Sequence, residues 1–200
     1  AGNYWEVPVV ERLKRAPTSD GLKHFGAAIA SFGSTALFRL VGITPEAHSL
    51  VDVGGDKLPV VARIGADDLE QLKAGYATSK EIDVVVFSAP QLSIYELRDL
   101  AQRCAGRSFR RPLLAVTSPQ VKPDCDRFGY TEAIQAAGGT VLSGMCFYQS
   151  YAREMSEVKG WKKLATNSAK LVNILGGYGY SPMLASMEAC LQAAETGELA

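Results

Sequence analysis

Residues 82–87 read Ile-Asp-Val-Val-Val-Phe, and residues 88–93 continue as Ser-Ala-Pro-Gln-Leu-Ser. A β-branched run without polar alternation is what a strand covered on both faces of a parallel sheet requires. A polar loop at the end of such a strand lies where layered α/β domains bind ligands, although a plain strand-to-helix link reads the same way. Immediately after it, residues 93–104 (SIYELRDLAQRC) have helical spacing. Ser93 is placed to cap that helix, and Glu96 three positions on completes a capping box.

The rhythm repeats in both directions. Downstream, LLAVT at 113–117 reads as a strand, and residues 130–137 as a helix ended by Gly138 and Gly139. Short strands are expected at 140–142 and 163–165, and helices at 168–175 and 186–196, with Gly197 as a stop. Upstream, residues 21–32 form a helix, TALFRLV at 35–41 a strand, and 67–76 a helix opened by acidic residues. Strands alternating with helices predict an α/β domain, a mainly parallel sheet flanked by helices, over residues 19–200. Residues 1–18 read as a connecting segment from an upstream region. The chain opens on Ala1 rather than Met and so reads as a piece or processed product of something longer.

Composition narrows the function classes. Hydrophobic residues make up 47% of the 200, which excludes intrinsic disorder. The 21 basic and 21 acidic side chains balance, so no basic field draws in nucleic acid or anionic lipid. No apolar stretch is long enough to span a bilayer, and the start lacks a basic segment followed by an apolar one; a cytoplasmic location is expected. Cys104, Cys125, Cys146 and Cys190 form no CxxC or zinc-ribbon spacing, and reduced thiols are the default. His24 and His48 are too few for a histidine-built metal site.

Four strand-end loops carry the side chains that could do chemistry. Residues 42–47 (GITPEA) fit a turn into a helix, with Thr44 capping and Pro45 at the first helical position, or a ligand loop to which Glu46 adds a polar contact. Residues 88–92 form the second. Residues 144–147 (GMCF) bring Cys146, whose thiolate form can bind a metal, or which can be a small buried apolar residue. Residues 165–170 (ATNSAK) offer two hydroxyls, an amide, free N–H groups at a helix start and the Lys170 charge, which suit a carboxylate or phosphate. An ordinary cap by Asn167 or Ser168 uses the same geometry. The glycine-rich residues 176–180 (GGYGY) lack the Gly-Lys-Ser/Thr ending of a phosphate loop.

Taken in order, the segment from Leu37 through GITPEA, the strand with SAPQLSIYEL, the GMC loop, ATNSAK and the closing MEACLQAAETG resemble the large subunit of the aconitase X family, over residues 22–197. The resemblance implies an aconitase-like fold and elimination of water from a small hydroxy acid. It also implies an iron–sulfur cluster or mononuclear iron held through cysteines. The substrate classes it brings are cis-3-hydroxy-L-proline and phosphorylated mevalonate. It places Cys146 on a cluster ligand, and Thr166, Asn167 and Ser168 on the substrate-binding loop, where Lys170 adds charge. Ser88 falls where many members carry a second Cys ligand followed by a Pro-His pair; here the loop reads Ser-Ala-Pro-Gln. A further Cys is expected in an N-terminal half, and a small subunit or swivelling domain is the expected partner, bearing the proton-abstracting Ser.

Removing water from a β-hydroxy acid needs a base, a stabiliser for the enolate-like charge, and a Lewis acid for the departing hydroxide. No catalytic base stands out in these 200 residues. Two other readings remain open: a non-catalytic binding or assembly module of the same fold, and an anion-binding α/β domain unrelated to iron. Arg39 and Lys170 are the nearest basic residues to the four loops, too few to announce a phosphate, so hydroxyproline is favoured over phosphomevalonate.

Overall fold

The computed structural model describes residues 4–199, which divide between Leu69 and Glu70 into two units. In the first, β1 (Val9–Val10) pairs in parallel with β2 (Arg39–Leu40). Between them runs α1 (Ser19–Gly33), capped by Thr18, whose Oγ1 accepts from Gly21 N–H at 3.1 Å. The expected strand at 35–41 shrinks to two residues. Ser34 and Thr35 N–H still donate to Ala30 and Ile29 carbonyls, so they finish the helix rather than start a strand. No helix follows Thr44 either. Its hydroxyl turns back to the Leu40 backbone, and Gly42 N–H closes the turn onto the Ala47 carbonyl at 2.7 Å. β1 lies inside residues 1–18, the expected connecting segment. Residues 1–3 of that segment and Ala200 lie outside the described residues. Residue 69 falls within α2 (Ala66–Gly75), a polar helix with no buried residue.

The second unit is built on the run at 82–87. Its elements are β3 (Val84–Leu92), α3 (Ile94–Cys104), β4 (Leu113–Thr117), α4 (Lys122–Arg127), α5 (Tyr130–Ala136), β5 (Gly139–Ser143), α6 (Ala152–Lys159), β6 (Lys163–Thr166), α7 (Ala169–Leu175), β7 (Ser181–Leu184) and α8 (Met187–Thr196). The five strands are parallel in the order β5-β4-β3-β6-β7, with helices against both faces. The fold class is therefore the α/β arrangement expected.

The centre of this sheet explains the apolar run. Val85 and Phe87 point into a core shared with Leu97, Leu100, Ile134 and Leu191. Val84 and Val86 point the other way, into one shared with Phe147, Leu171 and Leu175. Period-2 alternation thus divides one hydrophobic run between two cores. Ser93 Oγ accepts from Glu96 N–H, and the Glu96 carboxylate accepts from Ser93 N–H at 2.9 Å, which is the expected capping box of α3. Among the described residues no helix is long and apolar enough to cross a membrane.

The strand order also contains a reversal. From β3 the chain winds outward through β4 to β5, then returns to β6 and winds the other way to β7. β3 and β6 are neighbours whose onward connections leave in opposite directions, which is the switch point where such sheets bind ligands.

Candidate functional site

Three of the four expected loops belong to the second unit and emerge at the carboxyl ends of β3, β5 and β6. The tip of β3 is irregular. Phe87 pairs with Ala115 and Leu92 with Thr117, so five steps along β3 match two along β4. Residues 88–91 bulge out of the ladder, with Ala89 in the left-handed region at φ 48° before a cis Ala89–Pro90 bond. Bulges of this kind re-aim side chains beside functional sites. Thr117 Oγ1 closes the bulge by donating to the Leu92 carbonyl at 2.7 Å.

The neighbouring loops are tied to this bulge. Ser168 Oγ donates to the Ala89 carbonyl at 2.6 Å while accepting from Leu171 N–H at 3.2 Å, so one hydroxyl both caps α7 and docks on β3. Thr166 Oγ1 accepts from Ser168 N–H at 3.2 Å. On the other side, Gln91 Nε2 donates to the Met145 carbonyl at 2.9 Å, and Ser88 Oγ accepts from Phe147 N–H at 3.5 Å. The structure therefore brings the Cys146 loop and the Thr166 to Ser168 loop together through the tip of β3.

The candidate side chains differ in exposure. Thr166 is 0% and Ser168 1% exposed; the Ser168 hydroxyl both donates and accepts within the protein, and the Thr166 hydroxyl accepts from Ser168 N–H. Ser88 is equally buried at 1%. Asn167 and Lys170 are half-buried. Cys146 is also half-buried, unlike Cys104, Cys125 and Cys190, which lie in the interior. Its neighbour is Tyr148: burial pushes the Tyr148 phenol up, and the charge and hydrogen bonding of Cys146 add to the shift. Lys170 Nζ sits 5.7 Å from the centre of the Tyr148 ring, which meets Tyr178 edge-on at 6.1 Å. The charge read at the helix start is thus shared with an aromatic face beside Cys146. The sequence reading missed Tyr148 and gave Gln91 no role, since only their partners 22 or more positions away reveal them.

The loop at 42–47 lies in the first unit, where Glu46 and His48 are exposed. A separate apolar hollow of about 230 Å³ in that unit is lined by Val10, Leu13, Leu22, Phe25 and Leu40 with Arg15 at its wall.

Among the described residues no three His, Cys, Asp or Glu side chains gather into a metal-holding set. An iron–sulfur cluster is held by about four thiolates. One half-buried thiol and one buried hydroxyl do not fit that requirement by themselves. What the junction gathers at the sheet's switch point is the Gln91 amide, the Lys170 cation against Tyr148 and the Cys146 thiol.

Comparison with known proteins bears on the same residues. The aconitase X third-domain family model matches residues 82–196, and the second-domain model matches residues 2–74. The phosphomevalonate dehydratase large subunit of Thermococcus kodakarensis is 31% identical over 187 residues, covering 92% of this chain and 46% of that protein. The cis-3-hydroxy-L-proline dehydratase of Pseudomonas aeruginosa is 31% identical over 200 residues, covering 96% of this chain and 34% of that one. A crystal structure of Thermococcus kodakaraensis aconitase X in its holo-form superposes with a TM-score of 0.80 at 27% identity, covering 97% of this chain and 48% of that one. The chain spans between a third and a half of the length of these relatives.

Proposed function

The chain belongs to the aconitase X family, and from that premise we propose that it forms part of a hydro-lyase that removes water from a small hydroxy acid. The observation that carries this reading is the junction at the switch point, where Ser168 docks on Ala89 and Gln91 reaches Met145. On this reading the tips of β3, β5 and β6 are one wall of the substrate site. Asn167 and Lys170, the half-buried members of their loop, supply polar and cationic contacts to the carboxylate. Thr166 and Ser168 fix the shape of that loop rather than reach the ligand, because both are buried and their hydroxyls bond within the loop and to β3.

Cys146 is the donor this chain offers to an iron centre, whether an iron–sulfur cluster or mononuclear iron; Ser88, buried and accepting from Phe147 N–H, is better suited to holding the Cys146 loop than to binding the metal. The other donors have to come from outside the described residues. So does the proton-abstracting group, which we assign to a small subunit or swivelling domain; five of the relatives that match are named large subunits.

Cis-3-hydroxy-L-proline is the favoured substrate. Across residues 88–92, 144–147 and 165–170, Lys170 is the only basic side chain, and a phosphate usually gathers more positive charge. The test is the chain assembled anaerobically with the rest of a large subunit, a small subunit and iron, offered hydroxyproline and phosphomevalonate in parallel. Turnover of hydroxyproline that is lost in Cys146→Ser is expected. No turnover of either compound at full iron occupancy would overturn the dehydratase reading, and turnover of phosphomevalonate alone would overturn the choice of substrate.

A further inference from the structure

The β3 bulge contacts the Cys146 loop on the two residues that flank the thiol. Gln91 holds the Met145 carbonyl at 2.9 Å, and Ser88 receives the Phe147 N–H at 3.5 Å. These partners are 54 and 59 positions apart in sequence, so neither contact is a local turn bond. The bulge is itself fastened, by Ser168 to the Ala89 carbonyl at 2.6 Å and by Thr117 to the Leu92 carbonyl at 2.7 Å.

The geometry points to Gln91 and Ser88 as positioning residues that hold the Cys146 thiol in place at the mouth of the site and connect it to the Ser168 loop. This rests on the reading of Cys146 as a donor in the dehydratase site. Gln91 carries the larger share, because its contact is short and donates to a backbone carbonyl that would otherwise lose that partner. Ser88 adds a longer, weaker contact on the other side. The bulge thus serves the site without touching the substrate: it sets where the sulfur sits relative to the loop read as binding the acid.

Native alkylation of the full chain with iodoacetamide, followed by peptide mass spectrometry, tests this without iron or substrate. The readout is the modification rate of Cys146 divided by that of the three interior thiols in the same molecule. Gln91→Met keeps the length of the side chain and removes its donor. It is expected to raise the ratio by about fivefold to tenfold, the change in a local opening equilibrium when one hydrogen bond is lost. Ser88→Ala is expected to move it in the same direction by about twofold to threefold. A role confined to general stability would speed the three interior thiols at least as much as the half-buried Cys146, and so leave the ratio unchanged or lower. An unchanged or lower ratio in Gln91→Met, with or without loosening of the fold, overturns the proposal. Because neither iron content nor turnover is read, failure here is separate from failure of the dehydratase reading.

Discussion

Ser168 shows how much one small side chain can carry. Its hydroxyl caps α7 by accepting from Leu171 N–H and fastens the β3 tip by donating to the Ala89 carbonyl, at 1% exposure. Losing a serine cap costs about 1 kcal/mol, and leaving a buried carbonyl without its partner costs about 1–3 kcal/mol. Ser168→Ala is therefore expected to lower the unfolding free energy by about 2–4 kcal/mol, measured by urea denaturation. A loss below about 0.5 kcal/mol would mean that water replaces the hydroxyl at Ala89. The residue types of this loop were legible in the sequence, including Ser168 as a cap. Their division of labour was not: Thr166 and Ser168 look as available as Asn167 until the packing around them is known.

At the scale of elements, the strongest sequence signals are those with local causes. The capping box at Ser93, the apolar run of β3 and the stop at Gly197 depend on neighbours within a few positions, and each is found as expected. Elements without such signals were not read. Half of the residues in α6 are charged, and only Ala152 and Ser156 are buried, so its apolar stripe is too thin to register. β7 contains Pro182, which argues against a central strand, and the structure places it at the sheet edge, where proline is tolerated. The β3 bulge is a third case, since its register shift exists only relative to β4. One tight packing point between elements is directly testable. A Cβ on Gly139, at the start of β5, would lie 2.8 Å from Ile134 Cγ2 and 3.1 Å from the Ile134 carbonyl oxygen. Gly139→Ala forces α5 and β5 apart and is expected to cost about 1–3 kcal/mol, seen as a lower thermal midpoint; an unchanged midpoint would contradict this packing.

For the molecule as a whole, the interior resists charge. Burial pushes Cys190 from 9.0 to about 12, Cys104 from 9.0 to about 11, and Tyr180 from 10.0 to about 12. A raised folded-state value means the neutral form is favoured in the native protein. The associated stability is fully present below about pH 9 and is lost as pH rises from there towards 12. Urea midpoints are therefore expected to hold between pH 7 and 9 and to fall beyond, with a shallower fall in Cys190→Ala; a flat profile to pH 11 would show that these groups are not enclosed. The tip of β3 has a different kind of consequence, for descent rather than stability. Residues 88–91 are clamped at both ends by strand pairing and held along their length at Ser88, Ala89 and Gln91. An insertion or deletion there would break at least one of those attachments, whereas an exchange that keeps an acceptor at 88 and a donor at 91 preserves them all. Relatives sharing this architecture should vary at these four places in letter but not in number, so that lineages can retune the chemistry of the mouth while its dimensions are inherited unchanged.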